Sequence, residues 1–196
     1  MQTQKIICVL LAALCLGGCT SVAPFKGVAI EDDSVYVTGL PPVNQDKHYA
    51  CGAACVAAVA AYWNVSLAQF RAKRAQMPED ATGHDLQLLA EELGLRAFVY
   101  RGSKEDLLDN LQKGRPVIVM IPQAVLPTGG LSSVYLINAW NQWGRKPAHW
   151  VIVIGMTKNK NVIIHDPESG PMTVKQVCFE KWWEQKGYLS VLITAS

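Results

Sequence analysis

Gln45-Asp46-Lys47-His48-Tyr49-Ala50-Cys51-Gly52-Ala53-Ala54-Cys55 runs directly into Val56-Ala57-Ala58-Val59-Ala60-Ala61-Tyr62-Trp63. Alanine is the strongest helix former and is small enough for close packing. The run predicts a helix buried on most of its circumference, with Cys51 at or just before its N-terminus. A helix start carries unpaired N–H groups and the positive end of the dipole. Both favour thiolate over thiol, and the thiolate is the nucleophile. Taken alone, the stretch has other readings. Cysteine is often simply buried. Cys51 and Cys55 also have the spacing of half a zinc site, which needs two further ligands, or of a disulfide, which is awkward within one helix.

A cysteine nucleophile needs a base within hydrogen-bond reach, and the base needs an orienting partner. Ala148-His149-Trp150-Val151-Ile152-Val153-Ile154-Gly155 reads as a buried strand and Val162-Ile163-Ile164-His165 as its antiparallel partner. With the turn centred near Lys158 and Asn159, Asp166 falls opposite Val151, two positions from His149. His149 and Asp166 then meet at one end of neighbouring strands, with the imidazole facing the Cys51 helix. His165 points to the other face and is set aside. His84 opens a helix, and His48 is too close to Cys51 in sequence for a rigid geometry. Gln45, six residues before Cys51, brings a side-chain N–H₂ beside the Cys51 backbone N–H, the makings of an oxyanion hole. Gly52 would let a substrate backbone come close. Singly, His149 also fits a core histidine and Asp166 a turn opener before Pro167. The case is joint.

The order Gln45, Cys51-Gly52-Ala53-Ala54-Cys55, Ala148-His149-Trp150-Val151, Asp166-Pro167-Glu168-Ser169-Gly170 resembles the C39 family of papain-like cysteine peptidases. The resemblance covers roughly residues 40 to 194. It implies Cys51 as nucleophile, His149 as general base and acid, Asp166 as its orienter and Gln45 as oxyanion donor. It also implies a papain-like α+β fold, N-terminal helices packed on a C-terminal antiparallel sheet, with no metal or cofactor. The best-known members sit on ABC exporters and cut leader peptides after Gly-Gly in the cytosol. This chain shows no transporter segment and reads as exported. The alternative from another class is a non-catalytic C39-like module that binds peptides for a secretion or assembly system.

The rest of the 196 residues supports one domain. Residues 1–18 read as a signal peptide: Lys5, then an apolar stretch too short for a comfortable membrane span. It ends in Leu16-Gly17-Gly18-Cys19-Thr20, which looks like a bacterial lipobox with Cys19 as the lipidated residue. The expected location is the periplasmic face of the outer membrane, anchored through Cys19. Residues 19–40 read as a tether with a short strand at 35–37, and 41–196 as the peptidase domain. Of six cysteines, Cys8 and Cys15 leave with the signal peptide, so Cys51, Cys55 and Cys178 remain in an oxidising compartment. A Cys55–Cys178 disulfide would leave Cys51 as the thiol. The net charge of +2, without a basic block, gives no footprint for nucleic acid. The expected partners are a peptide or protein substrate and the membrane.

Local signals place the other elements. Helices are expected over 67–75, from Gly83 to Gly94, from Ser103 to Gly114 and over 174–184. Strands are expected at 96–100, 116–121, 134–139 and 188–194. The 122–147 segment is a long connection whose Leu131, Tyr135, Trp140 and Trp143 either line a groove or cover the core. Asp166 to Gly170 is expected to leave the sheet.

Overall fold

The computed structural model of the chain describes residues 23–24, 34–41, 51–74, 77–78, 80–123 and 148–196. Their elements, in order, are β1 (Ala23–Pro24), β2 (Val35–Tyr36), α1 (Cys51–Tyr62), α2 (Leu67–Arg74), α3 (Gly83–Glu92), β3 (Arg96–Arg101), α4 (Lys104–Gln112), β4 (Val117–Pro122), β5 (Ala148–Met156), β6 (Asn161–Asp166), β7 (Gly170–Lys175), α5 (Gln176–Glu184) and β8 (Leu189–Thr194). The expected strand at 134–139 lies outside the described residues.

Local chemistry sets the helix starts. Thr82 and Ser103 each close a capping box with the aspartate three residues on, Asp85 and Asp106. Each box satisfies two backbone groups that a helix start would otherwise leave open. Ser66 accepts the Gln69 N–H at the start of α2. Gly94 and Gly114, both at positive φ, stop α3 and α4 where a side chain would be strained. α1 is buried from Gly52 to Ala60 without interruption. Its small side chains let neighbours approach it from every side.

The sheet is antiparallel throughout, in the order β1-β7-β6-β5-β4-β8-β3, with β2 added along the end of β5. Helices cover both faces. Trp150, Ile152 and Ile154 of β5 join the core formed with α1, α2 and α3. Val151, Val153 and Met156 join the core formed with α4 and α5. Each fully buried Val or Ile contributes roughly 1.5–3 kcal/mol, and β4 and β5 bury such side chains on both faces.

Two expectations are corrected. Asp166 to Gly170 does not leave the sheet: it is a tight turn, with Asp166 opposite Gly170, that returns the chain as β7 along β6. The alternation of buried Met172 and Val174 with more open neighbours carries that strand, and α5 begins only at Gln176. The other correction is that no disulfide joins Cys55 and Cys178, which are buried in the cores on opposite faces of the sheet. The short strand expected at 35–37 is β2, and Val37 beside it is buried, with its N–H reaching the Ile154 carbonyl at 2.8 Å.

The pairing of β5 with β6 slips by one residue between Val153 and Gly155. Side chains alternate along a strand, so an extra residue moves everything beyond it to the other face. Continuing the register from Ile152–His165 places Asp166 opposite Val151, on the face that His149 also takes. Without the bulge at Ile154 the two would face apart. Gly155, next to the bulge, makes room for β2, because an added Cβ would lie 2.8 Å from the Tyr36 ring and 2.9 Å from the Val35 carbonyl.

Candidate active site

Cys51 is the first residue of α1 and is half-buried. Both ends of α1 are tied to the sheet. At the far end Tyr62 donates to the Gly114 carbonyl at 2.8 Å and the Trp63 indole N–H to the Ile193 carbonyl at 2.9 Å. At the near end the Trp150 backbone N–H donates to Cys51 Sγ at 3.5 Å, and the Cys55 thiol donates to the Trp150 carbonyl at 3.4 Å.

His149, the second residue of β5, is buried. Its Nε2 is 2.8 Å from Asp166 Oδ1. Its remaining ring edge serves Cys51, with which it also shares a side-chain hydrogen bond. Asp166 is fully buried, and the same Oδ1 accepts the Glu168 N–H at 2.9 Å. A thiol, an imidazole and a carboxylate thus stand in line, the thiol at a helix N-terminus.

That line sets the electrostatics. Burial pushes the Cys51 thiol up, but the hydrogen bond and charge of His149, with the Trp150 and Gly52 N–H groups, bring it below its ordinary value. Burial pushes His149 down, but Asp166 and then Cys51 hold its proton, raising it to about 9. Burial pushes Asp166 up, but His149 and the Glu168 N–H hold it below the usual carboxylate range. All three shifts favour a thiolate beside an imidazolium backed by a carboxylate. Cys55, one turn further along α1, is the opposite case. Full burial, then the nearby Cys51 and Asp166 charges, push it well above the ordinary thiol value.

The expected residues divide cleanly. Cys51, His149 and Asp166 come together. His165 is buried with Ile152 opposite it, on the other face, and burial pushes its pKa down. His84 is exposed on α3, where Thr82 rather than His84 is the cap. Gln45, His48 and Cys19 lie outside the described residues. Among the described residues no group of three His, Cys, Asp or Glu side chains is placed to hold a metal ion.

Gly52 also has a reason in the packing. It is buried, and an added Cβ would sit 2.9 Å from Leu86 Cδ1 and 3.0 Å from Trp150 Cδ1. The missing side chain makes room for the Leu86 side chain and the Trp150 ring. Sequence reasoning misses Trp150 itself, beyond its place next to His149. Its indole N–H donates to the Ala81 carbonyl at 2.9 Å, holding the ring over the start of α1. Nothing local in the sequence marks that role.

The model of the Peptidase_C39 like family matches residues 37–191. Among solved structures, a protein from Bacillus anthracis described as a C39-like peptidase superposes with a TM-score of 0.63 at 17% identity, over 84% of this chain and 99% of that one. The peptidase domain of Streptococcus ComA, described as a bifunctional ABC transporter involved in quorum sensing, gives 0.58 at 20% identity, over 81% and 100%. A double glycine motif protease from an AMS/PCAT transporter, in complex with its leader peptide, gives 0.55 at 22% identity, over 82% and 94%. No match is found among curated proteins. At these identities the structures speak for the fold, a papain-like α+β peptidase fold, and the family model spans most of the chain. This chain belongs to the Peptidase_C39 like family.

Proposed function

We propose that the chain is a cysteine peptidase that cleaves a peptide bond of an exported peptide or protein through a Cys51 acyl-enzyme. The observation that carries this reading is the Cys51–His149–Asp166 line at the N-terminus of α1. The Cys51 thiolate adds to the substrate carbonyl. The Cys51 backbone N–H and the Gln45 side chain stabilise the oxyanion. The His149 imidazolium gives its proton to the leaving amine, and the neutral imidazole then takes a proton from the water that releases the acid. Asp166 holds the ring in place and stabilises its charged form. Family membership supports a peptidase, and the leader peptide bound to one structural neighbour supports a peptide substrate.

Cleavage is testable with a mixed peptide library read by mass spectrometry across pH. The rate is expected to rise with Cys51 ionisation, below the ordinary thiol range, and to fall through about pH 9, as His149 loses its proton. Peptides that bind without being cut at any pH would instead favour a non-catalytic binding module.

The anchor belongs to the same proposal: a lipid on Cys19, exposed after removal of residues 1–18, holds the domain at the periplasmic face of the outer membrane, within reach of a secretion or assembly system. Cys19→Ala is expected to move the chain from the membrane to the soluble fraction on cell fractionation. An unchanged distribution would count against the anchor.

A further inference from the structure

Residue 150 holds two cysteines with its own backbone. Its N–H donates to Cys51 Sγ and its carbonyl accepts from Cys55 Sγ. The N–H and C=O of one strand residue point to the same edge of the strand. β4 runs along one edge of β5 here, with Met120 opposite Trp150. The two sulfurs therefore occupy the other edge, in the place where β6 would continue.

β6 does not continue, and the sequence shows why. The register that pairs Ile152 with His165 would set Pro167 opposite Trp150. Proline has no N–H to give to the Trp150 carbonyl. The chain turns instead, pairing Asp166 with Gly170. Asp-Pro thus does two things at adjacent positions. Asp166 meets His149, and Pro167 vacates the Trp150 edge for the start of α1. A strand edge left open and buried needs partners, and the α1 cysteines supply them.

We propose that Cys55 is a positioning residue of the site: its thiol, donated to the Trp150 carbonyl, fixes the start of α1 on the open edge of β5 and so sets Cys51 Sγ between the Trp150 N–H and His149. This rests on the reading of Cys51 as nucleophile. Two further features fit it. Cys55 is fully buried and remains a thiol, hence a donor, where Cys51 is a thiolate. The bond also links residues 95 positions apart, across the joint between helix and sheet that the site straddles. The indole bond to Ala81 and the contacts with Gly52 hold the same joint from the side-chain direction.

The test is the pH dependence of iodoacetamide alkylation at Cys51, mapped by mass spectrometry in the full-length chain, for wild type, Cys55→Ala and Cys55→Ser. Thermal melting is followed in parallel. Alanine suits the helix but cannot donate; serine keeps a donor. In Cys55→Ala the Cys51 midpoint is expected to rise by about half a pH unit, the scale of one weak sulfur hydrogen bond. Cys55→Ser is expected to return it toward wild type. A lower melting temperature with an unmoved midpoint would overturn the proposal, leaving Cys55 as packing only. Equal shifts in both variants would overturn the donor role. A wild-type midpoint at the ordinary thiol value would instead remove the nucleophile reading itself.

Discussion

Cys51→Ala is expected to abolish peptide cleavage, and His149→Ala to lower it by about a thousandfold or more. A thousandfold is about 4 kcal/mol of transition-state stabilisation. The two variants should part company in their other properties. Alanine at the head of α1 continues a run of alanines and removes a half-buried group, so stability should change by less than about 1 kcal/mol. His149→Ala acts twice. It takes away the proton carrier, and it takes away the main influence that lowers the Cys51 thiol. Burial, which raises it, is then opposed only by the Trp150 and Gly52 N–H groups. The alkylation midpoint of Cys51 is expected to climb to the ordinary thiol value of about 8.5 or above. The variant also leaves Asp166 buried beside a void, with the Glu168 N–H still on Oδ1. A stability loss of about 2 kcal/mol is expected, by chemical denaturation, from orphaning that carboxylate. Cleavage within tenfold of wild type in His149→Ala would reject its role as base.

Asp166→Asn separates geometry from charge. Asparagine keeps an Oδ1 acceptor, so the bonds to His149 and to the Glu168 N–H have a partner. What disappears is the negative charge. The loss of cleavage should be smaller than for His149→Ala, because the group that carries the proton is still present. The clearer sign is in the pH profile. The carboxylate stabilises the imidazolium, so without it His149 releases its proton at lower pH. The alkaline limb is expected to move from about 9 toward the ordinary histidine value of 6.5. An unmoved alkaline limb would mean that Asp166 does not govern the His149 proton.

Stability should change with the same sign. In wild type the raised His149 contributes fully below pH 6.5, and that contribution fades as pH rises through about 9. The lowered Asp166 contributes above 3.8, and that contribution fades as pH falls through its folded value. Asp166→Asn should lose both contributions, which denaturation at neutral and acid pH measures.

The elements legible in the sequence are those decided within a few residues. The alanine run makes α1, the Thr82–Asp85 and Ser103–Asp106 pairs open α3 and α4, and the apolar runs make β4 and β5. The 157–161 turn is legible too, and with it the meeting of His149 and Asp166. Counting positions from the turn reaches the right answer, but the reason lies deeper. The Ile154 bulge, not strict alternation, puts the two side chains on one face, and no local signal marks it.

Tertiary structure alone decided the contacts between distant segments. No local signal says that Cys55 and Cys178 lie on opposite faces of the sheet, since that depends on which face α1 and α5 each cover. β7 is hidden because Gly170 and Pro171 weaken a strand signal, and pairing with β6 supplies what local preference lacks. That the missing side chain of Gly52 makes room for Leu86 and Trp150 is likewise invisible in the sequence. The Trp150 backbone, whose identity as a side chain says nothing of its N–H and carbonyl, becomes the link between Cys51, Cys55 and the sheet. The sequence by itself determined which side chains are available for the proposed chemistry, because side-chain type and local caps are written there. Only the tertiary structure decided how they are held, because a hydrogen bond across about a hundred residues exists only after both faces of the sheet have closed.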